Sequence, residues 1–408
     1  MQTSAFVSGF DVVGEGAAAV LDNLQGRGGL SAAMLSVSYH DGRDIFSHNP
    51  LGVLRFLEPG ALYFPPEQSL YANTAVKPVV SEFVEHGTDV LGTLVQAAAE
   101  RDMGVHAWTV FLHRDLGRHD SDWAIRNCFG DPLLTDLCPA HPDVRAYAVA
   151  LATDVSTRGV QSIMSESLHF APLEHGYHHE RYFTPLGALS RFLLSVCFCI
   201  HCTAHGERQG VDVSAVRAAV QAHLRSAFSD GDRVSTDVSR EEVAALAGGQ
   251  MAGFLAARES TVSSLVGDVS GVARRAGLTF AFGDLSGAVK GYADGRPAGA
   301  PSAEIAWKLG VDWPSLVEAS PGVEVFAYAA DVSRLDADLS DYRQRIGRAG
   351  ALSAAMRPVS PDCDSVENLS AKLRVAKALD VQRVDFYHYG FAPLSALDLI
   401  SGALNEAA

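Results

Sequence analysis

Short apolar runs rich in β-branched and aromatic residues alternate with longer alanine-rich amphipathic runs along most of this chain. That rhythm constrains the fold more than any other feature. Parallel strands need a crossover long enough to hold a helix, so repeated strand–helix units build a parallel sheet with helices packed on it. After a helix near 12–24, we expect eight strands at 33–38, 62–64, 105–112, 160–166, 278–283, 324–328, 353–356 and 384–388. Helices are expected at 88–102, 142–158, 186–196, 214–228, 241–275, 339–349 and 365–379. Pro142 suits the first turn of its helix, and Asp212 or Ser214 is placed to cap the next. Eight such units predict an α/β fold, a (β/α)8 TIM barrel. A length of 408 residues with 48% hydrophobic content accommodates it as a single domain over 1–408. The segment 171–276 is too long for one strand–helix unit and reads as a helical insertion after strand four. The stretch 286–301, rich in Gly, Ala and Pro, reads as a loop over the barrel mouth.

The net charge of −16 argues against nucleic acid or an anionic membrane as a partner, since phosphate binding needs a basic patch. The N-terminal residues show no basic segment followed by an apolar one, so no signal peptide is expected. No apolar run approaches ~20 residues, so no transmembrane helix is expected. Three of the six cysteines, Cys197, Cys199 and Cys202, form a C-x-C-x2-C cluster. Thiols so close together suit convergence on one soft metal ion better than pairing as disulfides. Reduced thiols imply a cytoplasmic protein. A closed zinc site takes four ligands, so a fourth must come from elsewhere. Whether the chain forms a homo-oligomer is open.

Barrel sites form where the strands end. The expected strand ends carry Tyr39-His40-Asp41, His113-Arg114-Asp115, Ser165-Glu166-Ser167-Leu168-His169, Asp284, Asp331, Arg357 and Tyr387-His388-Tyr389. Acids, imidazoles, a guanidinium and aromatic rings together suit a polyhydroxylated ligand. A carbohydrate is therefore the expected partner, with His40, His113, His169, Arg357 and His388 as binding residues. Asn127, on the loop after strand three, is a further candidate contact. Glu166 follows the apolar Ile163-Met164, and a carboxyl in a partly apolar cleft has a raised pKa and can protonate a leaving oxygen. Glycoside hydrolysis needs a second carboxylate, about 5 Å away as a nucleophile or about 6.5–9.5 Å away as a base acting through water. Asp331 ranks above Asp284 for that role, because Asp284 opens a flexible loop. Four histidines between His169 and His179, with Glu174 and Glu180, offer a second metal site. They lack the i, i+4 pairing of a hydrolytic zinc helix. His179 is expected to contact ligand hydroxyls from a loop over the mouth.

Cys138-Pro139-Ala140-His141-Pro142-Asp143-Val144-Arg145 precedes a helix and strand four; Glu166 and then the cysteine cluster follow. This order resembles the barrel domain of the glycoside hydrolase family 42 β-galactosidases. It is also similar to related glycoside-hydrolase-like (β/α)8 barrels with a four-cysteine cluster. The resemblance covers about residues 105–205. It implies that Cys138 is the fourth ligand of a structural zinc and that Glu166 is the acid/base. The family has Asn before that glutamate, where this chain has Ser165. The family's nucleophilic Glu ends strand seven, where this chain has Met356-Arg357-Pro358. Galactosidase activity is therefore not implied. The expected function is hydrolysis of a small glycan or glycoside. The alternatives are a non-hydrolytic carbohydrate-binding barrel and a metal-dependent lyase or isomerase using the 169–180 cluster.

Overall fold

The computed structural model describes residues 1–116, 121–174, 181, 183–290 and 294–408. Eight parallel strands follow one another around a closed sheet. They are β1 (Gln2–Val7), β2 (Ala32–Tyr39), β3 (Gly104–Val110), β4 (Ser162–Glu166), β5 (Thr279–Asp284), β6 (Gly322–Phe326), β7 (Ala351–Met356) and β8 (Arg383–Phe386). β8 pairs with β1 through Gln2↔Arg383, and β1 pairs with β2, which closes the barrel.

One expected strand is not in the barrel and one barrel strand was not expected, so the count of eight holds. β1 lies ahead of the first expected strand. The run at 62–64 supplies only the short pair Ala61–Leu62, antiparallel to the end of β2 and outside the barrel. The expected helix at 12–24 is broken: Ser8 caps Gly9–Glu15, and Gly16, with φ of 86°, starts Ala17–Asp22 on a new axis. That positive φ suits glycine, so the sequence turns where the two helices meet.

Paired residues on neighbouring strands share a face, so the register identifies what points inward. Ser4↔Asp385, Ser162↔His106, Met164↔Trp108, Gly283↔Glu324 and Ser353↔Arg383 are such pairs. The layer nearer the strand N-termini is ionic. Arg383 Nε donates to both Asp385 oxygens at 2.9 and 2.7 Å, and Nη2 donates to Glu324 Oε2 at 3.3 Å. Ser4 Oγ also donates to Asp385, and Ser162 Oγ lies 2.8 Å from His106 Nδ1. Burial, and then the neighbouring Asp385, push the Glu324 carboxyl well above its ordinary range. The layer nearer the strand C-termini is aromatic: the Trp108 ring lies 4.9 Å from Phe6 and 5.9 Å from Tyr387. The interior is thus filled, as barrel interiors of this size are.

Between β4 and β5 the chain forms helices Ala188–Ser195, Ile200–Arg208, Val213–Asp230, Arg240–Ala244 and Gln250–Arg275. The last of these returns along the barrel beside Pro142–Ser156. Arg145 joins the two helices by donating to Thr261 O at 3.3 Å and Asp268 Oδ2 at 2.6 Å. Among the described residues no single helix is long and apolar enough to cross a membrane.

Replacing Arg383 with Met leaves Asp385 and Glu324 buried without their cation. Removing one partner of a buried ion pair typically costs about 3–5 kcal/mol. Urea unfolding followed by tryptophan fluorescence should show a loss of that order, and a loss below about 1 kcal/mol would mean the ionic layer does not act as a unit.

Candidate functional site

Alternation along β4 turns Met164 and Glu166 into the barrel, because Met164 pairs with the inward Trp108. Glu166 is 6% exposed at the mouth. Trp108 Nε1 donates to Glu166 Oε2 at 2.6 Å. Burial pushes the carboxyl up to about 7, while the indole hydrogen bond and the charge of His113 pull the other way. Glu166 therefore holds or releases a proton near neutrality, which suits a general acid.

Rings surround it. Tyr39 lies 4.5 Å from Trp108 and 4.2 Å from His40, and His40 lies 4.6 Å from His113. Tyr39 and Tyr387 are hydrogen-bonded to each other, and burial raises both phenols. Tyr328 lies 5.7 Å from Tyr387, and the Arg357 guanidinium sits 4.6 Å above the Tyr328 ring. Asp362 fixes that guanidinium, accepting from Nε at 2.6 Å and Nη2 at 2.7 Å.

The expected histidines take different states. His113 Nδ1 donates to Thr135 O at 3.0 Å and Asp136 Oδ1 at 3.2 Å. Burial opposes its charge, but Asp136, Glu166 and Asp41 together hold the ring above its ordinary range. His388 is buried, which lowers it to about 3 and keeps it neutral. Its Nδ1 accepts from the Gly390 N–H at 3.1 Å, so the ring proton sits on Nε2. That buried Nε2 has no hydrogen-bond partner among the described residues. His388 stacks on Phe391 at 4.0 Å, and its ring is 6.3 Å from Trp108. His40 Nδ1 donates to Asp41 O, and buried His169 Nδ1 to Phe170 O. His179 and the 175–180 stretch lie outside the described residues.

The two expected aspartates have other partners. Gly283 pairs with the inward Glu324, so Asp284, one residue on, pairs with Val325 and faces outward. Asp284 accepts from Tyr342 Oη at 2.5 Å, on helix Val332–Ile346, and from Ser286 Oγ at 2.7 Å. Asp331 is the exposed cap of that same helix. It accepts from the Ser333 N–H and Oγ, both at 2.6 Å, and from the Arg334 N–H. Those bonds hold it below its ordinary range, and neither aspartate is among the charges acting on Glu166. Asn127 closes its own turn, accepting from the N–H groups of Phe129 and Asp131 and donating to the Asp131 carboxylate.

Asp44 was not singled out from the sequence. It lies in the hairpin of Gly42–Ile45 and Leu54–Leu57, just past β2. Gly42 and Asp44 are half-buried and Arg43 and Ile45 exposed, so one face of this strand looks into the molecule. Burial raises Asp44 to about 6. Its charge and that of Glu166 both act on the Tyr39 and Tyr387 phenols, so both carboxyls lie near this tyrosine pair. The available sequence signal was the alternation Gly-Arg-Asp-Ile immediately after a strand end.

A second centre stands apart from the mouth. Cys138 Sγ lies 3.8 Å from Cys197 Sγ and 3.6 Å from those of Cys199 and Cys202. All four are buried, none is in a disulfide, and their sulfurs lie within 4.8 Å of one another. Tetrahedral coordination at about 2.3 Å per sulfur spaces the sulfurs about 3.8 Å apart, so the four thiols fit one metal ion. Backbone N–H groups of Arg126 and Cys202 donate to Cys197 and Cys199, which suits thiolate sulfur.

No protein-family model and no curated protein matches this chain. Its structure is similar to the catalytic domain of β-amylase from Paenibacillus polymyxa, with a TM-score of 0.56 at 11% identity, covering 99% of this chain and 96% of that one. It is also similar to β-galactosidase from the psychrophilic Marinomonas ef1, with a TM-score of 0.54 at 10% identity. That match covers 99% of this chain and 59% of the other. A class V chitinase from Pseudomonas fluorescens Pf-5 aligns at 0.47 and 8% identity, over 99% of each chain. At these identities the likeness is one of fold.

Trp108→Phe removes the N–H that favours ionised Glu166. The Glu166 pKa should rise above its starting value of about 7. Infrared difference spectra of the protonated carboxyl band against pH measure this directly. An unchanged or lower pKa would show that the indole does not stabilise the carboxylate.

Proposed function

We propose that this protein is a glycoside hydrolase acting on a small glycan or glycoside, with Glu166 as the proton donor. The observation that carries this reading is the inward carboxyl at the end of β4, buried, held by an indole N–H and raised to about 7. Aromatic faces at Tyr39, Trp108 and Tyr387 suit sugar C–H surfaces, and His40, His113 and His388 suit hydroxyls. The shared fold with proteins named as a β-amylase and a β-galactosidase supports the same class.

Asp44 takes the second carboxylate role in this reading, in place of Asp331 or Asp284. Raised to about 6, it ionises before Glu166 does, which separates base from acid. Burial alone raises Asp44, and Asp44 is not among the charges acting on Glu166. In this reading a water stands between the two carboxyls, as in hydrolysis with inversion. As Asp44 takes a proton from that water, its oxygen attacks the anomeric carbon. The glycosidic C–O bond breaks and Glu166 protonates the leaving oxygen. Cys138, Cys197, Cys199 and Cys202 would hold a structural zinc, which in a closed four-thiolate site stabilises the fold without entering the chemistry. Reduced cysteines suit a cytoplasmic setting. Arg357 at the end of β7 favours a second reading, a carbohydrate-binding barrel without hydrolysis.

Glu166 must be protonated, so activity should fall as pH rises through about 7; Asp44 must be ionised, so activity should fall as pH drops through about 6. On a panel of aryl glycosides, kcat/KM should peak between these values. Glu166→Gln should lower kcat by about 10²–10⁴-fold, and Asp44→Asn should do likewise. Unchanged turnover in Glu166→Gln would remove the assignment, whereas sugar binding with no turnover by the wild type would establish the second reading.

For the metal, elemental analysis of the purified chain should find one zinc. Cys138→Ser should lose it and unfold at a lower temperature. A metal-free wild type of full stability would rule the site out.

A further inference from the structure

We propose that Arg258 is the countercharge of the four-cysteine metal site and ties that site to the loop behind Glu166. Arg258 is 2% exposed, in the middle of helix Gln250–Arg275. A guanidinium is rarely buried unless an anion compensates it. Its one hydrogen bond here runs from Nη2 to Lys308 O at 3.3 Å, and Nε and Nη1 have no partner among the described residues. The adjacent Glu259 is occupied by Arg240, which reaches both its oxygens at 2.7 Å.

The remaining negative charge is on sulfur. The groups that act electrostatically on Arg258 are Cys202, Cys197, Glu259 and Cys138. Four thiolates around a divalent ion carry two net negative charges, which a buried cation compensates. The helix geometry agrees. Phe254, one turn before Arg258, stacks at 5.2 Å on Phe198, which lies between Cys197 and Cys199. The face of the helix that carries Arg258 therefore looks onto the cysteine site. The guanidinium also lies 4.6 Å from the Phe170 ring and 5.4 Å from the Phe192 ring, contacts that suit a cation with incomplete hydrogen bonding. Phe170 is four residues past Glu166, so one side chain touches both the loop leaving β4 and the helical segment that supplies three of the four thiols. Arg258 thus acts as a positioning residue and not a catalytic one.

The inference rests on the cysteines being metal ligands, so the experiment tests that first. Zinc per chain is measured for wild type, Arg258→Met, Arg258→Lys and Cys138→Ser. Zinc affinity is then measured by competition with a chromophoric chelator, and the sulfur-to-metal charge-transfer band is recorded after cobalt substitution. Wild type should hold one zinc. Arg258→Met should bind it at least tenfold more weakly and shift the cobalt band, and Arg258→Lys, which keeps the charge, should recover part of the affinity. Wild-type affinity and spectrum in Arg258→Met would overturn the proposal, as would a lysine variant no better than methionine. A metal-free wild type would instead overturn the metal reading itself. Should Arg258→Met fail to fold, Arg258→Gln against Arg258→Lys makes the same comparison.

Discussion

A closed eight-stranded sheet offers each side chain one of two surroundings, the barrel interior or the layer of helices. The choice alternates residue by residue, so a shift of one position along a strand decides what a group can do. Glu166 faces inward, while Ser165 donates from its hydroxyl to Ala281 O on the neighbouring strand. Gly283 faces inward, and Asp284 turns its carboxylate to Tyr342 in the helical layer. Two acids near strand C-termini thus acquire unrelated roles. One sits buried among aromatic rings at the mouth, where burial raises it to about 7. The other fixes a helix to the barrel.

Much of this was legible in the sequence because it rests on local periodicity. Seven of the eight barrel strands overlap runs that read as strands, and Glu166 ends one of them. β1 was missed because Gln2-Thr-Ser-Ala-Phe-Val places Ser4 on the inner face, where an apolar residue would have marked a strand. Ser4 is polar because it completes the ionic layer around Asp385, a partner 381 positions away. Asp331 carried a local signal that outweighs its place after a strand: Asp-Val-Ser-Arg ahead of a helix is a cap, whose oxygens take the first free N–H groups. Asp44 carried no such signal. Beyond the alternation Gly-Arg-Asp-Ile, its place near Tyr39 and Tyr387 comes from the folding of a hairpin, which no local pattern records. The cysteine cluster was legible because soft-metal chemistry depends on residue type and spacing, and Cys138 joins it across 59 positions of chain.

The metal centre and the mouth are linked through packing. The loop that leaves β4 after Glu166 runs through His169 and Phe170, and Phe170 rests against Arg258. One turn before Arg258 on the same helix, Phe254 stacks on Phe198, between Cys197 and Cys199. A clamp that fixes this helical segment also limits how far the β4 loop moves, and with it the position of Glu166. A metal held by the four cysteines would reach the mouth only through this packing.

The burial that raises Glu166 also makes it a cost to the fold. A carboxyl titrates near 4.3 in an unfolded chain and near 7 here, so the folded protein binds the proton more tightly. The stability this contributes is fully present below the unfolded value and is lost as pH rises through about 7. Asp11, buried in the first turn of the helix after β1 and also raised to about 7, acts in the same direction. The Trp108 hydrogen bond offsets part of the cost by favouring the ionised form of Glu166. The indole thus has opposed effects. Without it the acid would stay protonated to higher pH, but the ionised form would sit unsatisfied in an apolar mouth. A single N–H at 2.6 Å sets the compromise between a carboxyl able to give up its proton near neutrality and a fold able to tolerate the charge left behind.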